Sequence, residues 1–203
     1  MPGYPHNETL DAIRKRRSVR RFSERDVPDE IVTLLLRAAN EAPSAHNQQP
    51  WKFIVIRGSK KQELAQLVTA KSAEFPKPAS ALLRMAARSI LSAPVVIAVA
   101  NTGDLVERGT ELFEIEKGMA RDFFRTMEIQ SSAAAVENML LAATSLGIGT
   151  VWLGILFLLK DEVLHFLGEP RGEFMAVVAV GYPERPVAGP QKQPFEMKVR
   201  YLR

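Results

Sequence analysis

The sequence of 203 residues predicts a β-sheet wrapped by α-helices, and two features of its patterning predict this fold class. Four short apolar runs have the length of strands that are buried on both faces. Stretches with helical spacing separate these runs, and such alternation is typical of a sheet covered by helices. The balance of 46% apolar and 25% charged residues excludes a disordered chain. The predicted strands are Phe53–Ile56, Val95–Ala100, Ile148–Leu153 and Phe174–Val180.

The first predicted helix spans Asn7 to Arg17. Asn7 or Thr9 can cap its N-terminus, and Leu10 and Ile13 share a face that we expect to point inward. The second helix is marked by Pro28 and two acidic residues at its start and by apolar residues at helical spacing, and four further helical stretches separate the strands. They are predicted from Pro28 to Pro43 and over residues 60–72, 79–91, 117–146 and 158–167.

The stretch Met139–Leu159 contains no charged residue and has the length of a membrane span, about 20 residues. Three glycines interrupt it, at Gly147, Gly149 and Gly154. This pattern favours a long helix that is buried nearly all round and breaks after Leu146, followed by a buried strand. We therefore expect no membrane partner, and the membrane span is the alternative.

The net charge of +4 is concentrated in one run, Arg14–Arg25, which contains seven basic residues and one acid. The rest of the chain is nearly neutral, so the run indicates a site for an anion such as phosphate. One alternative is a solvated helix end. Another is a nucleic-acid-binding module, although a single aromatic residue in the run disfavours stacking on bases. The candidate ligand-binding residues are Arg16, Arg17, Ser18 and Arg20.

Two further segments are candidates for binding a planar ligand. The segment APSAHNQQPW, residues 42–51, carries three amides that suit the edge of a heteroaromatic ring or that simply cap backbone groups. The segment GIGTVWLG, residues 147–154, lacks the third glycine of a dinucleotide fingerprint and follows a helix instead of a strand. Its glycines allow close approach of backbone N–H groups to a ligand, or else end a helix.

The sequence carries none of the usual catalytic signatures. It contains no cysteine and three histidines, and it lacks a nucleophile elbow, a P-loop and a zinc-protease helix. An enzyme with such sparse side-chain chemistry is expected to take its chemistry from a cofactor, and no metal site is expected. The charged N-terminal sequence does not look like a signal peptide, so we expect a cytoplasmic protein.

Four segments together resemble the nitroreductase family of FMN-dependent oxidoreductases. The first reads I-x-x-R-R-S-V-R-x-F, and the second reads A-P-S-A-H-N-Q-Q-P-W-x-F-x-V. A long Ala-rich helix then runs into G-I-G-T-V-W-L-G, and V-G-Y-P-E-R-P follows. Each motif is weak alone, but the four occur in the family's order across about residues 9–200.

The resemblance implies an α+β fold with a mainly antiparallel central sheet, built as an intertwined homodimer with two FMN sites at its interface. Residues 1–203 would form one FMN-binding domain, in which 184–203 is a C-terminal arm that reaches the partner subunit. The alternating run Phe195–Leu202 predicts an edge strand added to the partner's sheet.

The family's cofactor-binding residues carry over by position. The phosphate, ribityl chain and pyrimidine edge of FMN would contact the basic run, and a lysine near the C-terminus would add to the phosphate site. The loop at 44–47 would approach the flavin of the partner subunit, and the segment at 152–154 would lie along the isoalloxazine. These residues are Arg16, Arg17, Ser18, Arg20, Ser44, Ala45, Asn47, Trp152, Leu153, Gly154 and Lys192.

The implied activity is transfer of hydride from NADH or NADPH through flavin N5 to a small acceptor, such as a nitroaromatic or a quinone, by a ping-pong mechanism. No catalytic side chain is expected, since the flavin carries the chemistry. Phe123 and Phe124 are candidates for lining the substrate slot, with core packing as the alternative. Within the family, a reductive dehalogenase or a flavin-fragmenting enzyme is the alternative. In a different class, the alternative is a nucleic-acid-binding module that uses Arg14–Arg25.

Overall fold

The computed structural model describes residues 7–202, apart from the side chain of Leu112, and contains one antiparallel sheet with helices on both faces. The strand order is β1–β2–β4–β3, and every neighbouring pair is antiparallel. This arrangement confirms the predicted α+β class with a mainly antiparallel central sheet. The strands are β1 (Trp51–Ile56), β2 (Val95–Asn101), β3 (Gly149–Trp152) and β4 (Glu173–Gly181).

The described residues form seven α-helices. The helix at Asp104–Leu112 is absent from the prediction, because it is short, largely polar and interrupted by a glycine. The helices are α1 (Glu8–Lys15), α2 (Asp29–Asn40), α3 (Gly58–Lys71), α4 (Ala79–Ser92), α5 (Asp104–Leu112), α6 (Lys117–Ser145) and α7 (Lys160–Phe166).

The predicted cap of α1 is confirmed, whereas one predicted inward residue is not. The Asn7 side-chain oxygen accepts a hydrogen bond from the Leu10 backbone N–H at 3.1 Å, as an N-cap requires. Ile13 was expected to face inward, but 49% of its surface is exposed. In this chain Ala12 is the buried residue of the helix, and Ile13 lies on the outer face.

The sheet lies between two apolar layers. Alternate residues of β2 point into opposite layers, so that Val96 and Ala98 pack with α3 and α4, while Ile97 and Val99 pack with α2 and α6. Every residue of β2 is buried, as predicted. The prediction of two buried faces is wrong for β1, where Val55 is 40% exposed, because β1 is an edge strand with only β2 as its partner.

The uncharged stretch Met139–Leu159 is not one element. It is divided among the end of α6, strand β3 and a 3-10 helix at Gly154–Leu159. Gly147 has a positive φ of 71°, which ends the helix and turns the chain into β3. Within residues 7–202, no helix is both long enough and apolar enough to cross a membrane.

The C-terminal segment runs over the surface after β4. Within the single chain, Phe195–Lys198 form a 3-10 turn and the described residues after them form no strand. The edge strand at Phe195–Leu202 was predicted to pair with a partner's sheet, and it stays a prediction. Alternation alone does not make a strand when no neighbouring strand pairs with the backbone. Large apolar side chains stay exposed here, including Phe195 at 61%, Met197 at 73% and Leu202 at 81%.

Helix α5 is attached to α6 through a buried carboxyl group. Glu128 of α6 is completely buried, and its Oε1 accepts a hydrogen bond from the Leu105 backbone N–H at 2.9 Å. Burial raises the pKa of this carboxyl above its ordinary value of 4.5, and the negative charge of Glu173 acts in the same direction. The backbone N–H groups at the start of α5 oppose the rise.

This carboxyl predicts a pH dependence of stability. Because its pKa is higher in the folded chain than in the unfolded chain, its contribution to the free energy of unfolding is fully present below about pH 4.5. The contribution is lost as the pH rises from there through the raised pKa. In Glu128→Gln the amide oxygen still accepts from Leu105 but does not titrate, so the variant should gain stability relative to the parent over this range.

Urea unfolding of both proteins between pH 4 and pH 8 measures the effect, with Glu41→Gln, an exposed residue just after α2, as the control. A difference in free energy of unfolding between parent and Glu128→Gln that is the same at every pH would contradict the prediction.

Candidate cofactor site

The segment that follows α1 lies along the edge of β3. The Val19 backbone N–H donates to the Thr150 carbonyl oxygen at 2.9 Å, and the Ser23 N–H donates to the Tyr182 carbonyl oxygen at 2.8 Å. Close approach at this edge requires Gly149, since a Cβ there would lie 2.8 Å from Val19 Cγ2. The predicted basic residues are thereby held beside the strand that leads to Trp152.

All five residues of the basic run and the C-terminal segment that were predicted to bind FMN meet in one pocket of about 360 Å³. The pocket lies between the segment after α1 and the loop at residues 187–192, which are far apart in sequence. Guanidinium, ammonium and hydroxyl donors on one concave surface suit a phosphate group. Its lining residues include Arg16, Arg17, Ser18, Arg20, Gly189 and Lys192.

Arg17 also organises the wall of this pocket. Its Nη1 donates to the carbonyl oxygens of Arg14 at 2.5 Å and of Arg16 at 2.7 Å, which satisfies acceptors at the end of α1. The side chain packs so closely on Gly189 that a Cβ there would lie 2.3 Å from Arg17 Nε. Arg17 therefore connects α1 to the C-terminal segment. Arg16 faces Glu137 of α6, with 3.9 Å between Nε and Oε1.

A second pocket, of about 180 Å³, adjoins the first through Arg20, which lines both. The predicted residues Trp152, Leu153 and Gly154 form one side of it. A Cβ at Gly154 would meet no atom within 4 Å, so the backbone there faces open space. Such a backbone allows a flat ring to approach its N–H groups closely.

Helix α4 forms the opposite wall of the second pocket, and sequence reasoning missed it. Leu82 and Met85 line the pocket and are 45% and 43% exposed, and the buried Ala86 lines it too. The Ser89 hydroxyl lies 3.3 Å from the Arg20 carbonyl oxygen, which attaches the helix to the basic segment. Two apolar residues on the outer side of an amphipathic helix are the only sequence signal of this wall.

The loop at Ser44–Asn47 lies elsewhere, and it lines neither pocket. The Ala45 backbone N–H donates to Ser131 Oγ of α6 at 3.1 Å, and Gln49 N–H donates to Ser44 Oγ at 3.0 Å. His46 and Asn47 have φ values of 52° and 54°, so the turn is held in a conformation that non-glycine residues rarely adopt. Within one chain, this predicted group is separate from the others.

The two candidate slot residues also lie outside both pockets, and their environments differ. Phe124 is 1% exposed and packs in a small cluster with Leu105 and Ala120. Phe123 is 46% exposed and lies edge-on to Phe124, with 5.1 Å between ring centroids. Phe124 therefore has a packing role in this chain, and Phe123 is the one of the two that presents its ring outward.

The basic run is not a continuous charged surface. Arg14 pairs with Asp11, and Arg25 stacks on the ring of Tyr182 with 3.8 Å from Cζ to the centroid. Phe22, in the middle of the run, is buried. Only the part from Arg16 to Arg20 lines the pocket described above.

The comparisons with known proteins agree with this geometry. A model of the Nitroreductase family matches residues 13–182. An Archaeoglobus fulgidus protein, provisionally named an NADH dehydrogenase/NAD(P)H nitroreductase, is 31% identical over 182 residues, which cover 87% of this chain and 86% of the relative.

Solved structures are similar over nearly the whole chain. A provisionally named nitroreductase from Desulfovibrio desulfuricans, solved in complex with FMN, is 30% identical with a TM-score of 0.72, covering 98% of this chain and 99% of the other. The NADPH:FMN oxidoreductase of Vibrio harveyi, complexed with NAD⁺, has a TM-score of 0.76 at 19% identity, covers 97% of this chain and 78% of the other, and shows the shared fold.

The chain belongs to the nitroreductase family, as the four motifs predicted. The matched region begins within α1 and ends after β4, so it includes the basic segment, the sheet and the strand that leads to Trp152.

Proposed function

We propose that this chain transfers hydride from NADH or NADPH, through FMN, to a small planar acceptor such as a nitroaromatic or a quinone. Membership of the family, together with relatives named as NAD(P)H nitroreductases and similar structures solved with FMN, makes the chain an FMN-dependent NAD(P)H oxidoreductase in the general sense. The proposal of hydride transfer to a small planar acceptor rests on the position of Arg20. This residue lines both the basic pocket and the pocket beside Gly154.

The residues present fit FMN. The basic pocket supplies Arg16, Arg20, Ser18 and Lys192 for the phosphate and ribityl chain. The open backbone at Gly154 leaves room for the ring system next to Trp152. When bound, FMN supplies hydride transfer at N5, and the positive charge of Arg20 would stabilise negative charge on the pyrimidine edge.

The slot favours donor and acceptor binding in turn. In this proposal the flavin ring occupies the pocket of about 180 Å³, so donor and acceptor would use the same exposed face of that ring, one after the other. Leu82 and Met85 of α4 present apolar surface to that ring. Apolar walls favour a flat aromatic or quinonoid acceptor over a charged one.

A homodimer completes the proposed site. The loop at Ser44–Asn47 lies apart from both pockets of its own chain, which agrees with a role beside the flavin of a partner subunit. The C-terminal arm, residues 184–203, would reach the partner, because Phe195, Met197 and Leu202 expose most of their apolar surface. Leaving such a segment in water gains nothing from the hydrophobic effect, whereas covering it would.

Replacement of single arginines should weaken FMN binding. Arg16→Ala and Arg20→Ala each remove a charge-assisted contact worth about 1.5–3 kcal/mol, so the dissociation constant for FMN should rise about 10- to 150-fold. Titration of the apoprotein with FMN, followed by flavin fluorescence, measures this. Arg14→Ala is the matched control, because Arg14 pairs with Asp11 outside the pocket. Unchanged FMN affinity in both pocket variants would refute the site.

Initial rates test the shared slot. With NADPH or NADH varied at several fixed concentrations of a quinone, double-reciprocal plots should be parallel lines, because the oxidised cofactor leaves before the acceptor enters. Lines that intersect would show both molecules bound at once and would contradict the ping-pong proposal.

Removal of residues 195–203 should weaken the dimer and FMN binding together. Sedimentation velocity gives the dimer dissociation constant, and flavin fluorescence gives the FMN affinity of the same preparation. Glu196→Gln in the full chain is the control, since it keeps the exposed apolar residues of the arm. A truncated protein that is monomeric and yet retains full FMN occupancy would refute a site shared between subunits.

A further inference from the structure

One large cavity has no part in the proposed cofactor site. It measures about 790 Å³ and lies between α5, α6 and α7 and the start of β4. None of its lining residues lines the basic pocket or the pocket beside Gly154. It therefore needs an explanation of its own.

The inner wall of this cavity includes a carboxyl oxygen without a partner. Glu128 is completely buried and lines the cavity, and its Oε1 is bonded to the Leu105 N–H, but its Oε2 bonds to no group in the described part of the chain. Buried polar atoms in folded proteins are nearly always bonded. An unbonded carboxyl oxygen beside a cavity can accept a hydrogen bond from a molecule bound there.

A second buried atom near the same helix turn is also without a partner. Asn101, at the end of β2, is 1% exposed, and its Oδ1 accepts from Ser132 Oγ at 2.5 Å, one turn beyond Glu128 on α6. Its Nδ2 has no partner within residues 7–202. The acceptor Glu128 Oε2 and the donor Asn101 Nδ2 are therefore both without a partner among the described residues. Thr102 and Gly103, which directly follow Asn101, line the cavity.

The walls of the cavity carry cations as well as acids. Arg125 pairs with Glu173, whereas Arg121 and Arg171 form no ion pair within the described residues. Guanidinium groups of this kind bind phosphate through two parallel hydrogen bonds. Three further acids line the cavity, Glu107, Glu111 and Asp161, so that a bare anion would be partly repelled.

We propose that this cavity is a second ligand site for a phosphorylated molecule of nucleotide size that carries an amino group. Arg121 and Arg171 would bind the phosphate, and Glu128 would accept a hydrogen bond from the amino group. The cavity volume lies within the roughly 300–1,000 Å³ of small-molecule sites. We expect neither the phosphate nor the amino-bearing part of the ligand to bind tightly alone. The acidic residues of the cavity weaken binding of a free phosphate, and an uncharged ligand offers no partner to the guanidinium groups.

Calorimetric titration with AMP tests the proposal, with adenosine and inorganic phosphate as the separate halves of the probe. The full chain is titrated with and without saturating FMN, so that failure to bind FMN and failure of the second site are separate results. AMP should bind at least about tenfold more tightly than either half, and FMN should not displace it.

Variants locate the bound molecule. Arg121→Gln and Arg171→Gln should each weaken AMP binding about tenfold or more, whereas Arg37→Gln, on the exposed face of α2, should not. Glu128→Gln should weaken binding of AMP and adenosine but leave binding of phosphate unchanged. FMN affinity should be the same in all four variants.

Several results would overturn the proposal. AMP that binds no more tightly than phosphate would show that the cavity does not recognise the amino group. AMP that FMN displaces would place the nucleotide in the basic pocket instead. Loss of AMP binding in Arg16→Ala, with no change in Arg121→Gln and Arg171→Gln, would do the same.

Discussion

The candidate cofactor site depends on one backbone pairing, in which the segment after α1 lies along the outer edge of β3. The hydrogen bond from Val19 to Thr150, at 2.9 Å, joins two parts of the chain that are far apart in sequence. Arginine side chains before the bond then face the C-terminal segment, and the strand after it leads to Gly154. Without this pairing the basic residues would be an ordinary charged helix end.

Small residues make that pairing possible. Gly149 leaves no room for a side chain beside Val19, and a Cβ at Gly181 would lie 2.6 Å from Pro94 and 3.0 Å from Phe22. Two glycines in neighbouring strands thus accept the segment that runs from Val19 to Phe22. In the GIGTVWLG segment, Gly149 therefore serves strand packing, whereas Gly154 at the other end faces open space.

The sequence predicted the parts of the fold that depend on burial. Strand β2 is buried at every residue and was predicted to within one residue of its observed end, since continuous apolar runs occur where both faces are covered. An error arose where a neighbouring strand decides the outcome. Strand β1 was predicted to be buried on both faces, but it is half exposed because only β2 lies beside it.

The site was predictable only in part, for a similar reason. The basic residues and Gly154 were proposed for the candidate site because their motifs occur in order, and four of the predicted basic and hydroxyl residues do meet Lys192 in one pocket. The wall from α4 was missed, because exposed Leu82 and Met85 look the same in sequence as apolar residues scattered over any surface. Only the fold shows that they face Trp152 across a cleft.

Helix α4 packs on the sheet with one face and lines the cleft with the other, and this affects how related proteins could diverge. Leu83, Ala87 and Ile90 are completely or almost completely buried and hold the helix on the sheet, whereas Leu82 and Met85 line the cleft and are 45% and 43% exposed. Mutations at the outer two positions would remodel the cleft at almost no cost to folding, since surface changes rarely alter stability by more than about 0.5 kcal/mol. New acceptor preferences could therefore arise by single neutral steps on this helix.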